Sequence, residues 1–199
     1  MVQRGNFAII LLAACLIVPF GRADGAKLRF VRENIDVSVL MPDTIRVRGE
    51  YFFTASDSIV TMKLFYPFPI DSHSLYPHAI SVEKGPSREK ASFDRGDRGI
   101  LFSVSAKRGD TSCVKVVYEQ RVTTNSGRYI LTTTKNWGQP LINSRYTVST
   151  PSNVILDFLS YECDSVAVRG EARVYSFYKK RFMPERDLIF VWRKNSVAR

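Results

Sequence analysis

Reactive side chains are scarce in this chain. Its 199 residues include two histidines and three cysteines. The G-x-S-x-G elbow that presents a serine nucleophile to a histidine base does not occur, which removes the common serine-hydrolase arrangement. Neither G-x-G-x-x-G nor a P-loop is present, so no nucleotide cofactor is expected. No Asn-x-Ser/Thr acceptor exists, which favours a bacterial source over a glycosylated secreted one. After the first 25 residues no apolar run reaches membrane length. No window of good helix formers repeats with a period of 3.6.

What is present begins with a leader. Arg4 supplies positive charge, and Phe7 to Val18 carries no charged side chain before Pro19. Ala23 and Gly25 are small residues at signal-peptidase spacing, so cleavage is expected before Ala26 and the mature protein is exported, periplasmic or secreted. A second reading of the same segment takes Leu12-Ala13-Ala14-Cys15 as a lipobox, with Cys15 anchored by lipid. Removing residues 1–25 takes away Arg4, Arg22 and Asp24, leaving 27 basic against 18 acidic residues, a net +9. A dispersed positive charge of this size attracts anionic polymers and membrane surfaces. Cleavage also leaves Cys113 and Cys163 as an even pair in an oxidising compartment, where a disulfide is expected. They stand 50 residues apart, and closing that loop would stabilise the fold by about 4 kcal/mol in the chain-entropy account. Two separate thiols are the alternative, because spacing alone does not show that they meet.

Residues 26–199 read as β structure, in one domain or two closely packed β subdomains. Ile35, Val37 and Val39 alternate with polar partners up to Met41-Pro42-Asp43. Ile45, Val47, Gly49, Tyr51 and Phe53 resume the period of two, and Ile59 to Tyr66 follows the turn at 55–58. Further strands are expected over 79–83, 100–106, 113–122, 128–134, 145–150, 154–161, 166–177 (one strand or two) and 188–192. About ten strands at close spacing predict an all-β, antiparallel sandwich. Pro67 to Pro77 is expected to be a proline-rich loop. Lys84 to Gly99, with Gly85-Pro86 and two Asp-Arg-Gly triplets, is expected to be the mobile one.

Candidate sites are few. His73 and His78, with Asp71 nearby, could begin a metal site, but a spacing of five matches neither a helix face nor a strand face. No metal ion is therefore expected. Glu50, Asp57, Asp71, Glu119, Asp157 and Glu162 could furnish the paired carboxylates of a polymer hydrolase, and the sequence gives no way to choose among them. Arg95-Gly96-Asp97 and Arg108-Gly109-Asp110 match a tripeptide read by integrins and equally match ordinary turn composition. Basic and aromatic residues interleave at Tyr175, Phe177, Tyr178, Lys179, Lys180, Arg181 and Phe182. Such a pattern can stack on single-stranded nucleic acid, a partner not expected for an exported protein. Lys179, Lys180 and Arg181 are the expected contact patch.

Val47 to Phe53, a turn, and then Phe65-Tyr66-Pro67-Phe68-Pro69 resemble the opening of a VIT-type β-sandwich, with Phe68 where leucine is usual. Tyr129 to Thr134, Trp137, Pro140-Leu141 and Phe182 to Leu188 are similar to uncharacterised exported bacterial proteins built around a domain of unknown function. The resemblance implies a β-sandwich and export, and carries over no catalytic residue. Tyr51, Phe53, Phe65 and Trp137 are expected core fillers, and Asp187 is expected to accept hydrogen bonds from turn amides. Taken together, the sequence reads as an exported binding protein rather than an enzyme, engaging a protein or an anionic envelope polymer, with peripheral membrane contact allowed. The alternative is an envelope-polymer hydrolase using carboxylates.

Overall fold

The computed structural model describes residues 27–40 and 42–194. The leader, the cleavage point before Ala26 and Cys15 lie outside the described residues. The strands are β1 Leu28–Leu40, β2 Thr44–Ala55, β3 Ile59–Pro67, β4 Ala79–Lys84, β5 Glu89–Lys90, β6 Asp94–Gly96, β7 Gly99–Lys107, β8 Ser112–Arg121, β9 Ser126–Tyr129, β10 Leu141–Pro151, β11 Val154–Leu159, β12 Ser165–Arg169, β13 Ala172–Phe182 and β14 Leu188–Lys194. One 3-10 helix, Thr132–Trp137, interrupts them. The all-β sandwich expected from the period-two runs is what the chain forms.

One layer is an eight-stranded sheet in the order β12-β13-β10-β1-β2-β8-β4-β5. Two smaller sheets, β11-β14-β9 and β3-β7-β6, tile the other layer. Strand β1 runs parallel to β10 and antiparallel to β2, so the large sheet joins the first strand to one more than a hundred residues later. Alternation explains the layering. Ile35, Val37 and Val39 of β1 and Ile45, Val47, Tyr51 and Phe53 of β2 are all buried, and their polar alternates form the sheet's outer face. Tyr66 of β3 crosses Tyr51 and Tyr118 at ring-centroid distances of 5.6 and 6.3 Å, which seats the β3 sheet over β2 and β8. Tyr161 stacks on Phe177 at 5.4 Å, beneath the β14 sheet. Trp137 closes one end against Phe30 and Phe53. Each such ring contributes about 1.5–3 kcal/mol through the area it removes from water.

At the seam of the three sheets the core is polar. Glu33 of β1 is buried and accepts a 2.6 Å hydrogen bond from the Tyr146 hydroxyl of β10. The Tyr51 hydroxyl lies 2.8 Å from that of Tyr66 and 2.7 Å from that of Tyr129. Gly49 makes room for this: a Cβ there would stand 2.0 Å from the Tyr51 hydroxyl. Burial raises the Glu33 carboxyl to about 7, against the lowering effect of the Tyr146 bond.

Several expectations need correction. The β-branched run 128–134 does not stay extended beyond Tyr129. The Asp187 carboxylate draws it aside, accepting from the Leu131 and Thr132 amides and the Thr132 hydroxyl. The turn then ends on left-handed Gly138 (φ 66°). Tertiary hydrogen bonding overrides local strand preference here. Phe65 does not fill the core, because the register of β3 turns Tyr66 inward and leaves Phe65 38% exposed. The segment from Lys84 to Gly99 holds β5 and β6 rather than a continuous loop. The expected disulfide is absent: Cys113 and Cys163 are free. Cys113 lies on β8, and Cys163 precedes Asp164, whose amide bonds to Ser176 of β13. Cys163 thus lies just before β12, five strand spacings from β8, roughly 24 Å at ~4.8 Å each, far beyond the ~4.4–6.8 Å that a disulfide spans between α-carbons.

Candidate anion-binding site

The outer face of the large sheet is a grid whose rows follow from strand register. One row runs Lys180, Asn143, Arg32, Phe52 and Cys113 across β13, β10, β1, β2 and β8. The next runs Tyr178, Arg145, Asn34, Glu50, Lys115 and Glu83. Away from the first row, charge is offset locally. Asn34 donates to Glu50 at 3.1 Å, Lys115 lies 3.8 Å from Glu83, and Arg46 is 2.6 Å from Glu119. Arg46 holds the Glu119 carboxyl below its ordinary range, and His78 at 3.4 Å adds to this.

The first row carries two basic residues and no carboxylate. It opens into a cleft of about 400 Å³ lined by Arg29, Arg32, Phe52, Thr54, Thr111, Gln139, Ile142 and Asn143, together with Val31 and Pro140. A β-bulge in β1 creates the arrangement. Phe30 pairs with Phe53 while Arg32 pairs with Phe52, so Val31 is the extra residue. Strict alternation would send Arg32 to the side opposite Arg29. The bulge restores both guanidinium groups to one face, as bulges do where a side chain must be re-aimed. Arg29 is held by Gln139 Oε1, which accepts from its Nε at 3.1 Å and its Nη2 at 2.9 Å. Arg32 lies over the Phe52 ring, with the guanidinium carbon 3.8 Å from the ring centroid. Its buried Nε has no hydrogen-bond partner. Paired planar donors with hydroxyls and an amide nearby suit a carboxylate or phosphate group, and Phe52 and Ile142 suit an apolar body attached to it.

The structure splits the expected contact patch. Lys180 lies on the outer face beside Asn143 at the cleft margin. Lys179 is on the opposite face, its ammonium 5.9 Å from the Phe177 ring. Arg181 is exposed with a positive φ of 48°, which breaks the alternation at that point. Neighbours in sequence on a strand do not share a face, and Arg29, Arg32 and Phe52 were hidden by the bulge. An R-x-x-R spacing at the start of an alternating run was the available signal.

The remaining candidates do not converge. His73 sits by Thr123, 3.4 Å from its hydroxyl, and His78 by Glu119. Among the described residues no three His, Cys, Asp or Glu side chains are grouped to hold a metal ion. Five of the six named carboxylates have other partners. Asn34 bonds to Glu50, the Ser58 amide to Asp57, Arg128 to Asp71, Arg46 to Glu119 and Arg193 to Asp157. Glu162 is exposed in the loop before β12. Arg95-Gly96-Asp97 ends β6 at its hairpin with β7, and Arg108-Gly109-Asp110 lies in the turn between β7 and β8, which belong to different sheets. Glu33 lines neither the cleft described above nor the smaller one beside Lys63.

No family model matches the chain, and no curated protein is similar to it. Solved structures do resemble it. A Legionella pneumophila protein that carries the provisional name nutrient binding protein superimposes with a TM-score of 0.67 at 15% identity, over 83% of this chain and 66% of that one. An M1 zinc metallopeptidase from Deinococcus radiodurans superimposes with a TM-score of 0.51 at 9% identity, over 82% of this chain and 42% of that one. The chain thus spans about two thirds of the first protein and less than half of the second. At such identities the likeness establishes the sandwich fold.

Proposed function

We propose that the protein is an exported, non-catalytic binding module that captures anionic groups of an envelope component at the Arg29–Arg32 cleft. The observation that carries this reading is the bulge-aimed pair of guanidinium groups in a cleft with no carboxylate in its lining. Export, cleavage before Ala26 and kinship with exported bacterial β-sandwiches with a VIT-like N-terminal half belong to the same reading. The provisional name of the Legionella structure agrees with a binding role. A fold alone does not specify function; the cleft is what supports this one. The hydrolase alternative calls for two carboxylates facing each other across a cleft, and the cleft lining has none.

Binding of polyglutamate, and separately of vesicles rich in anionic lipid, tests the proposal. Each charge-assisted hydrogen bond contributes about 1.5–3 kcal/mol, so Arg32→Ala is expected to weaken capture roughly tenfold or more. Rising salt should weaken the wild type more steeply than the variant, because fewer charges remain to be screened. Capture that is insensitive to salt and to both Arg29→Ala and Arg32→Ala would refute the proposal.

A further inference from the structure

The two edges of the large sheet are built differently. At one edge β5 has two residues, Glu89 and Lys90, both charged. Short, charged edge strands resist pairing with another chain. At the other edge β12 is five residues long, Ser165-Val166-Ala167-Val168-Arg169, and exposed throughout. Val166 is 56% and Val168 72% exposed. Among the described residues no strand pairs with its outer side. The strand lacks proline, has no bulge in its pairing with β13, and carries a single charge at its end.

Parity determines which backbone groups are free. β12 and β13 join through the two-residue turn Gly170-Glu171, with Gly170 at φ 58°. Arg169 and Ala172 close that turn and exchange hydrogen bonds. The Ser152 amide bonds to the Glu171 carbonyl on the far side of β13, which agrees with this assignment. Ala167 therefore bonds to Val174, and the N–H and C=O groups of Val166 and Val168 point away from the sheet.

We propose that β12 is the seam of a two-fold dimer, in which it pairs antiparallel with β12 of a second copy around an axis at Ala167. That register sets Val166 against Val168 of the second copy, and Val168 against Val166 of the second copy. Each of these pairs joins outward-pointing donors and acceptors, so each exchanges both its hydrogen bonds. All four valines then share one face, where β-branched cross-strand pairs are favourable. Small Ala167 meets its own copy on the other face, in the closely spaced kind of pair. Arg169 stands opposite Ser165, so no like charges oppose each other. An arbitrary partner strand would satisfy the hydrogen bonds but not this self-complementarity. The seam is short, so the dimer forms at high rather than low protein concentration. It would place the two outer faces side by side in one continuous sheet, presenting two clefts to a polymeric ligand.

Sedimentation across a wide concentration range, together with two variants, tests the proposal. Val168→Pro removes an outward N–H and a valine while leaving the bonds to β13 intact, and edge strands tolerate proline in that orientation. The expected result is loss of the dimer with an unchanged circular dichroism spectrum. Ala167→Cys, with Cys113 and Cys163 replaced by serine, brings two thiols together at the axis. The α-carbon spacing there is about 4.5 Å, within disulfide range, so mild oxidation should yield a covalent dimer. Arg169→Cys in the same background is the control. Its two copies would stand roughly 13 Å apart at the ~3.3 Å rise of a strand, and should not cross-link. Should Val168→Pro fail to fold, the cysteine pair decides alone. A chain that stays monomeric and does not cross-link through position 167 would overturn the proposal. A dimer that persists in Val168→Pro, with no link at 167, would overturn it equally.

Discussion

Replacing Glu33 with glutamine should remove a pH dependence of stability that the core imposes on the wild type. Glu33 is buried among the sheets and bonded by Tyr146. Its carboxyl titrates at about 7 in the folded protein and near 4.5 in the open chain. A raised value means that the folded state favours the protonated form. The resulting stability is full below pH 4.5, declines between pH 4.5 and 7, and is gone above 7. At about 1.36 kcal/mol per unit, the loss across that interval is about 3 kcal/mol. This is a substantial part of the ~5–15 kcal/mol typical of a domain. Glutamine keeps the shape and still accepts from Tyr146, but does not ionise. Urea unfolding at pH 5 and pH 8 should therefore show the wild-type midpoint falling and the Glu33→Gln midpoint changing less. Other groups titrate alike in both proteins, so the difference between the two profiles isolates Glu33. Parallel profiles would show that the carboxyl is solvated or otherwise compensated, and would refute the reasoning.

Asp187→Ala removes the acceptor shared by two amides and a hydroxyl of the 131–132 turn. It should cost about 2 kcal/mol or more, read as a fall in the melting temperature, with part of the loss restored by Asp187→Asn. Thiol labelling of unfolded, unreduced protein should find both Cys113 and Cys163 free. In the native protein both should react slowly, since burial pushes both thiols up; finding neither free after unfolding would contradict the strand order that separates them.

Period-two alternation was legible wherever one face of a strand met the core. Residues 35–39 and 45–53 were placed from sequence because their buried and polar positions take turns without interruption. The same alternation, carried back two positions from Ile35, puts Glu33 inside, but a carboxylate on a core face is invisible to a search for apolar periodicity. The Thr132-Thr133-Thr134 run was misread because its conformation is imposed by Asp187, 55 residues later in the chain. The cleft was less legible still. Its two arginines share a face through an inserted residue at position 31, and the neighbours that complete it arrive from β2, β10 and the loops before β8 and β10. The basic triplet at 179–181 was conspicuous in sequence, but a strand divides such a triplet between its faces.

The parallel pairing of β1 with β10 has a consequence for how the chain reaches its native state. Ile35 lies beside Tyr146, and Val37 beside Val148, so the first strand waits for more than a hundred residues before its second neighbour exists. The pairing of β1 with β2, and of β2 with β8, needs shorter loops and can close earlier at lower entropic cost. Until β10 arrives, one edge of β1 is bare and the Glu33 carboxyl has no Tyr146 to bond it. Topologies dominated by such distant contacts fold slowly. A strand edge left open for that interval is a point of capture for chaperones or for other unfinished chains. Folding of this sandwich is therefore gated by its C-terminal half, and a chain interrupted before residue 141 would retain an unpaired β1 edge.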